Sequence, residues 1–434
     1  MLAMEETPVG RERAATTRGG YAAAITITVC LFFLWGMANN LNDILIAQFK
    51  KAFVLTDFAT SFVQQVFYLG YFLFAIPASL LLRARGYKAG IVTGLVLYAI
   101  GALLFYPAAA SSQYGLFLLA LFVIASGLAF LETSANPLMT ELGDATTAAR
   151  RLNWAQAANP IGAITGILVG RNFILSGIRH DEATLAGMSA AQRIGYYRAE
   201  VQAVQTPYLI IALVVLAFAV AAIVVRFPEG EREVASTAPR PPFSAVFGKP
   251  WLLAAAFAQF CYVGAQVGLW SFTIRYAEAN VPSLGERAAA DMLFASLVLF
   301  AIGRFSGTAL MGRVRPATLL LAFSIISCAL AAIAALAGGQ IGLYALVAAS
   351  FFMSIQFPTI FALGVEGLGP LRRAGASLII MAIIGGAALT ALMGWTSDHS
   401  SIATAMLVPA VAFVAIAAFA FGALRRPLPS NSGD

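Results

Sequence analysis

The chain has 434 residues, 60% of them hydrophobic and only 11% charged, with a mean hydropathy of +0.83. No water-soluble domain of this length hides so much apolar surface in one core, so lipid must solvate a large part of it. The formal charge of +7 does not by itself indicate nucleic acid, because its distribution follows membrane topology.

Twelve apolar runs of about 20 residues or more, each long enough to cross a hydrocarbon core of ~30 Å as a helix, follow one another along the chain. They cover 22–48, 58–82, 89–107, 113–140, 152–176, 205–226, 250–278, 288–311, 317–337, 341–366, 375–396 and 403–424. The runs are continuously apolar, whereas a barrel strand would alternate over about ten residues, so the expected class is an all-α membrane protein. Charges precede the first run and no small-residue cleavage site follows it, which predicts a retained span. With an even number of spans, both termini and the even-numbered loops share one side. That side holds 18 of the 27 basic residues, among them Arg83, Arg85, Lys88, Arg150, Arg151, Arg372 and Arg373. The opposite side has few, chiefly Lys50, Lys51, Arg179, Arg193 and Arg198. The bias predicts a multi-pass protein of a bacterial inner membrane with both termini cytoplasmic. Cys30, Cys261 and Cys328 fall inside spans and are too few for a disulfide or metal framework. No cofactor or metal site is expected.

The Glu-, Arg- and Pro-rich stretch EGEREVASTAPRPP divides the chain into two blocks of six spans. The expected organisation is a tail at 1–21, a bundle at 22–226, a linker at 227–249, a second bundle at 250–424 and a tail at 425–434. A weak repeat supports the division: Pro137 precedes Arg150-Arg151 as Pro358 precedes Arg372-Arg373. Six-span halves related by such a repeat are the plan of the major facilitator fold, with substrate held between them near the bilayer midplane.

Charge inside a span costs roughly 2.5–3.5 kcal/mol on insertion scales, so an acid there normally faces a cavity or a partner. In chain order, Asp43 lies about two turns inside the Lys50-Lys51 end of the first span, on one face with Asn39 and Asn40. Glu132 lies well inside the fourth, with Asn136 four residues on. Neither span offers a Lys or Arg to neutralise its acid, and such a carboxyl can exchange protons near neutral pH. The alternative for each is a structural polar group tying two helices together. Asn153, Gln156 and Asn159 follow at spacings of three in the fifth span, and amides suit hydroxyl-rich ligands because each offers donors and an acceptor. Gln259, Tyr262, Gln266 and Trp270 form a stripe on the seventh, able to grip the polar edge and apolar face of a sugar. Interhelical hydrogen bonding is the alternative for both sets. Arg304, about nine residues inside Arg313, either snorkels or latches a gate by pairing with an acid. Glu141, Glu366 and the double-Arg loops read as a solvated rim, with gate salt bridges as the alternative.

The stretches FFLWGMANNLNDIL, YKAGI, LETSANP, GAQVGLWSFTIRYA, IGRFSGT and MSIQFPTIF together resemble the fucose permease branch of the fucose-galactose-glucose proton symporters, within the major facilitator superfamily. The resemblance covers nearly the whole chain. It implies that Asp43 and Glu132 are protonation sites and that Asn40, Gln156 and Asn159 lie close to the sugar, with Gln356 and Phe357 in the cavity wall. Two positions depart from the pattern: Pro160 follows Asn159 where a small polar residue is expected, and Phe357 stands where tyrosine is expected. The first can bend the fifth span and the second removes a hydroxyl from the cavity.

These readings point to a symporter for protons and a small neutral sugar, surrounded by lipid and monomeric, with L-fucose favoured over galactose or glucose. An exporter of amphipathic drugs would need a larger and more apolar cavity than two amide-bearing helices provide. A non-transporting sugar sensor is a further alternative. A membrane enzyme is disfavoured, since no HExxH motif or phosphate-cradling loop occurs and His180 and His399 lie in outer loops.

Overall fold

In the computed structural model the described residues are 22–55, 57–142, 144–174, 182–227, 242–284 and 286–426. Every regular element among them is helical. Ten stretches are long and apolar enough to cross a membrane, and two features resolve them into twelve crossings. Asp57–Ser111 has 55 residues, which as one straight helix would measure ~80 Å, well over twice the hydrocarbon core. It is two helices meeting at Gly86, whose φ of +80° is open to glycine without strain. The second and third crossings therefore join without a loop. The fifth crossing is broken into Ala148–Ala155 and Ala158–Val169, continued by a π turn at Gly170–Ile174, and neither piece spans a membrane alone.

The first crossing is Ala22–Ala52, the fourth Tyr114–Glu141 and the sixth Gln205–Val224. In the second half the seventh is Pro250–Asn280, the eighth Glu286–Leu310 and the ninth Pro316–Ala337. The tenth is broken into Gly339–Met353 and Gln356–Val365. The eleventh runs through Arg372–Met381 and Gly385–His399, and the twelfth is Leu407–Leu424. The first helix continues past the expected boundary, so Lys50 and Lys51 lie in its last turn. The long loop after the fifth crossing carries a helix that hydropathy did not reveal, Ala190–Gln202, started by a capping box between Ser189 and Gln192.

In the first half the first crossing packs on the fifth, and the joined second and third crossings pack on the fourth and sixth. In the second half the seventh packs on the eleventh and twelfth, while the tenth packs on the eighth and ninth. The halves meet where the second and third crossings touch the eleventh and where the fifth touches the eighth and tenth. Large apolar side chains such as Leu213, Val220, Leu336 and Val411 stay exposed, as expected of a surface solvated by lipid rather than water.

Candidate functional site

The fifth crossing breaks where its proline dictates. Pro160 has no N–H, so the Gln156 carbonyl four residues earlier lacks a helical donor. The Asn159 N–H reaches that oxygen at 3.0 Å, and Nη1 of Arg304, arriving from the eighth crossing, approaches it at 3.4 Å. The Gln156 side chain extends the connection in both directions. Its Nε2 donates to Oδ1 of Asn136 at 2.8 Å and its Oε1 accepts from Arg304 Nη1 at 3.3 Å. Asn136, Gln156 and Arg304 thus form one polar chain from the fourth crossing to the opposite half. Arg304 is 2% exposed. It does not snorkel, and no described acid pairs with it, because Gln156 offers two acceptors at its own depth and the Phe300 ring centre lies 5.2 Å from its guanidinium carbon.

The three amides of the fifth crossing do not share one task. Asn153 lies before the break, fully buried, and its Nδ2 donates to the Ala149 carbonyl at 2.9 Å and to Thr359 Oγ1 of the tenth crossing at 3.1 Å. Through Nδ2 it bridges the halves, while its Oδ1 has no hydrogen-bond partner. Asn159 is half-buried, with its Nδ2 3.4 Å from the Phe32 carbonyl. The first and fifth crossings approach backbone to backbone here: a Cβ at Gly36 would collide with the Asn159 carbonyl, and one at Gly162 with the Phe33 carbonyl.

Glu132 is 2% exposed, and neither carboxyl oxygen has a hydrogen-bond partner. The Tyr71 hydroxyl of the second crossing is its neighbour, and the Trp35 indole nitrogen of the first crossing lies near that hydroxyl. Sequence reasoning missed both aromatic residues, since a ring within an apolar run gives no sign that its polar tip will be buried without a partner. Asp43 is helical, on the same crossing as Trp35, and its side chain lies outside the described residues. Asn39 and Asn40 are half-buried, and Asn40 Nδ2 donates to the Gly36 carbonyl at 3.0 Å.

The second half contributes rings. Phe357 sits between Trp35 at 5.8 Å and Tyr262 at 6.1 Å, so the aromatic contact crosses from one half to the other. The Tyr262 hydroxyl donates to the Met353 carbonyl at 3.0 Å. Trp270 Nε1 donates to Ser350 Oγ at 3.1 Å, and its ring meets Phe300 edge-on at 5.1 Å. Gln356 is fully buried and donates to Ser327 Oγ and the Phe352 carbonyl, both at 3.1 Å. Gln266 is half-buried, and the fully buried Gln259 has neither side-chain polar atom paired.

At the end of the bundle bearing the double-Arg loops, the halves are tied together where a solvated rim was expected. Arg372 lies 3.9 Å from Glu141, and Arg373 donates to the Leu82 carbonyl at 3.2 Å with its guanidinium 4.9 Å over the Tyr87 ring. Ser79 Oγ donates to the Arg373 carbonyl at 3.1 Å. Burial pushes the Glu366 carboxyl above its ordinary value, opposed by Arg426, Arg372 and Arg315.

Residues 25–391 match the model of the Major Facilitator Superfamily. The chain is 46% identical to the L-fucose-proton symporter of Escherichia coli (strain K12), over 92% of this chain and 93% of that protein. It is 34% identical to a glucose/galactose transporter of Brucella abortus, over 93% and 94% of the two chains. A crystal structure of the transporter FucP in the outward conformation superposes with a TM-score of 0.85 at 46% identity, covering 93% of this chain and 99% of that one. The protein is therefore a multi-pass membrane transporter and not an enzyme, and it belongs to the Major Facilitator Superfamily.

Proposed function

We propose that the protein imports a small neutral sugar, L-fucose in the first place, together with protons, by alternating access between its two halves. The observation that carries this reading is the juxtaposition of an unpartnered buried acid and a run of amides that reaches the opposite half: Glu132 lies one helical turn from Asn136, which Gln156 holds while also meeting Arg304. The relatives named for fucose and for glucose or galactose transport support the sugar class. Glu132 and Asp43 are the proton-coupling acids in this reading. Asn39, Asn40, Asn136, Gln156, Asn159, Gln259 and Gln266 meet sugar hydroxyls, while Phe357, Tyr262 and Trp270 form the apolar wall. Gln356 shapes the cavity through Ser327, and Arg304 acts as the gate, joining the halves through Gln156.

Protonation from outside neutralises the site and permits sugar binding and inward turnover. Proton release inside resets the carrier. A potential of about 100 mV supplies ~2.3 kcal/mol per charge and one pH unit about 1.4 kcal/mol more, enough at one proton per sugar for accumulation of several hundredfold. The methyl group of a 6-deoxy sugar fits the wall that Phe357 makes with Trp35 and Tyr262, since a phenyl ring there offers no hydroxyl. Galactose or glucose is the second reading, supported by the 34% identical relative named for glucose/galactose transport. The bundles are assigned to 22–226 and 250–424, joined by 227–249, with the tails 1–21 and 425–434 and both termini cytoplasmic in a bacterial inner membrane. The working unit is a monomer in lipid.

Uptake of labelled L-fucose into proteoliposomes, with and without an inward proton gradient, tests the proposal. Accumulation above the outside concentration is expected only with the gradient, and a gradient without effect would refute symport. If labelled D-glucose or D-galactose is accumulated under the gradient while labelled L-fucose is not, the sugar is reassigned and the symporter reading stands.

A further inference from the structure

Tyr71 has no role in the transport cycle described so far. It is 1% exposed on the second crossing, and its hydroxyl has the Glu132 carboxyl and the Trp35 indole nitrogen as neighbours. Tyr68 also lies near that hydroxyl. The Tyr71 hydroxyl, the indole N–H and both Glu132 oxygens are all sealed from water, and none has a formed hydrogen bond. A buried hydroxyl with two polar neighbours, none of the three held by a formed hydrogen bond, makes a poor structural brace and a good switch, because no other bond opposes a change of partner.

From this geometry we infer that Tyr71 is a positioning residue for proton coupling, a hydrogen-bond switch between Glu132 and Trp35. The inference rests on Glu132 being a proton site. A phenol carries one O–H to donate and an oxygen that accepts. With Glu132 ionised, the Tyr71 O–H donates to the carboxylate and the Trp35 N–H donates to the phenol oxygen, which holds the indole on the first half. When Glu132 binds a proton, its own O–H donates to the phenol oxygen and displaces the indole N–H. The indole then turns toward the Phe357 side of the cleft, where its N–H meets a sugar hydroxyl. Tyr71 keeps its own proton throughout, and the proton that moves is the one Glu132 gains and loses. Proton and sugar therefore strengthen each other's binding, as linkage requires of any such coupling.

Tyr71→Phe keeps the ring and removes the switch. In full-length protein, sugar binding by calorimetry should weaken in the wild type by about tenfold from mildly acid to mildly alkaline buffer, a coupling of ordinary size. In Tyr71→Phe that dependence should shrink to less than about twofold, and gradient-driven accumulation in proteoliposomes should fall by about tenfold while sugar counterflow persists. Adding Tyr71→Phe to Glu132→Gln should change neither binding nor uptake further, because the two substitutions disable one device. A Tyr71→Phe protein with wild-type accumulation and wild-type pH dependence overturns the inference. Weakening that is equal at every pH, or that adds to Glu132→Gln, makes Tyr71 structural and overturns it too. Normal accumulation by Glu132→Gln alone would instead remove the proton-site reading on which the switch rests.

Discussion

The fourth and tenth crossings hold corresponding places in the two halves, related by the offset that joins Pro137 to Pro358, yet they are equipped differently. At that offset Glu132 corresponds to Met353 and Asn136 to Phe357. The fourth crossing stays helical through Pro137 to Glu141, whereas the tenth stops at Met353 and restarts at Gln356. At the break the Met353 carbonyl takes the Tyr262 hydroxyl, and Gln356 turns to Ser327. The first half thus keeps a carboxyl without a partner, while most polar groups of the second satisfy one another and leave rings at the contact between halves. The repeated scaffold thus carries its buried acid in one half and its rings in the other, although among the described residues of the second half both polar atoms of Gln259, and Oε1 of Gln356, also lack a partner.

Removing the acids breaks this comparison most severely. Glu132→Gln and Asp43→Asn should each reduce accumulation from several hundredfold to parity with the outside, read by uptake under a proton gradient. Wild-type accumulation in either variant would take that residue out of the coupling. Next in size is Gln156→Ala, which leaves Asn136 and Arg304 short of a partner and, in the proposed function, a sugar hydroxyl as well. Calorimetry should register a loss of about 1–3 kcal/mol in sugar binding, with Asn159→Ala at the lower end. Unchanged binding in both, with helix content intact, would make the fifth crossing a packing element.

Asn153→Ala and Thr359→Val sharpen the contrast between bridging and binding amides. Each removes the buried link between the halves, worth about 1 kcal/mol, and should shift the balance of outward- and inward-facing states several-fold in a cysteine-accessibility assay. Their effect on sugar affinity should be smaller than that of Gln156→Ala. Arg372→Ala at the partly exposed rim should move the same balance by no more than about 1 kcal/mol, and the difference should vanish in high salt. Asp144 gives the smallest effect. The Thr146 backbone N–H, and then its hydroxyl, hold the Asp144 carboxyl below its ordinary value of 3.8. Its contribution to stability is present above that value and lost as pH falls through the lower folded one. Asp144→Asn should alter thermal stability in neutral buffer but leave it unchanged in strong acid.

Much of this was legible before any coordinates. Length and continuous hydropathy gave twelve crossings, because lipid forces backbone hydrogen bonds to close within each helix. Glu132 and Gln156 stood out because polar groups in lipid are costly. Spacing misled at Asn153: three-residue intervals place it beside Gln156 on an ideal helix, but the break imposed by Pro160 sends one amide across to Thr359 and the other to Asn136. The partners of Arg304 could not be read from the sequence because its acceptors, a glutamine side chain and a carbonyl freed by a proline, belong to a helix 148 residues away. Trp35 and Tyr71 were invisible because only tertiary structure brings Tyr71 to Glu132 and Trp35 to Tyr71.

The close seam between the first and fifth crossings has a consequence for retuning this carrier. Where backbone rests on backbone at Gly36 and Gly162, no side chain is left to flex, so the wall presenting Asn40 and Gln156 behaves as a fixed template. A new sugar cannot be accommodated by bending it. Altered selectivity should therefore be sought by redesigning the opposite wall, around Phe357, Trp270 and Gln259. Libraries aimed at the seam should return mostly inactive carriers.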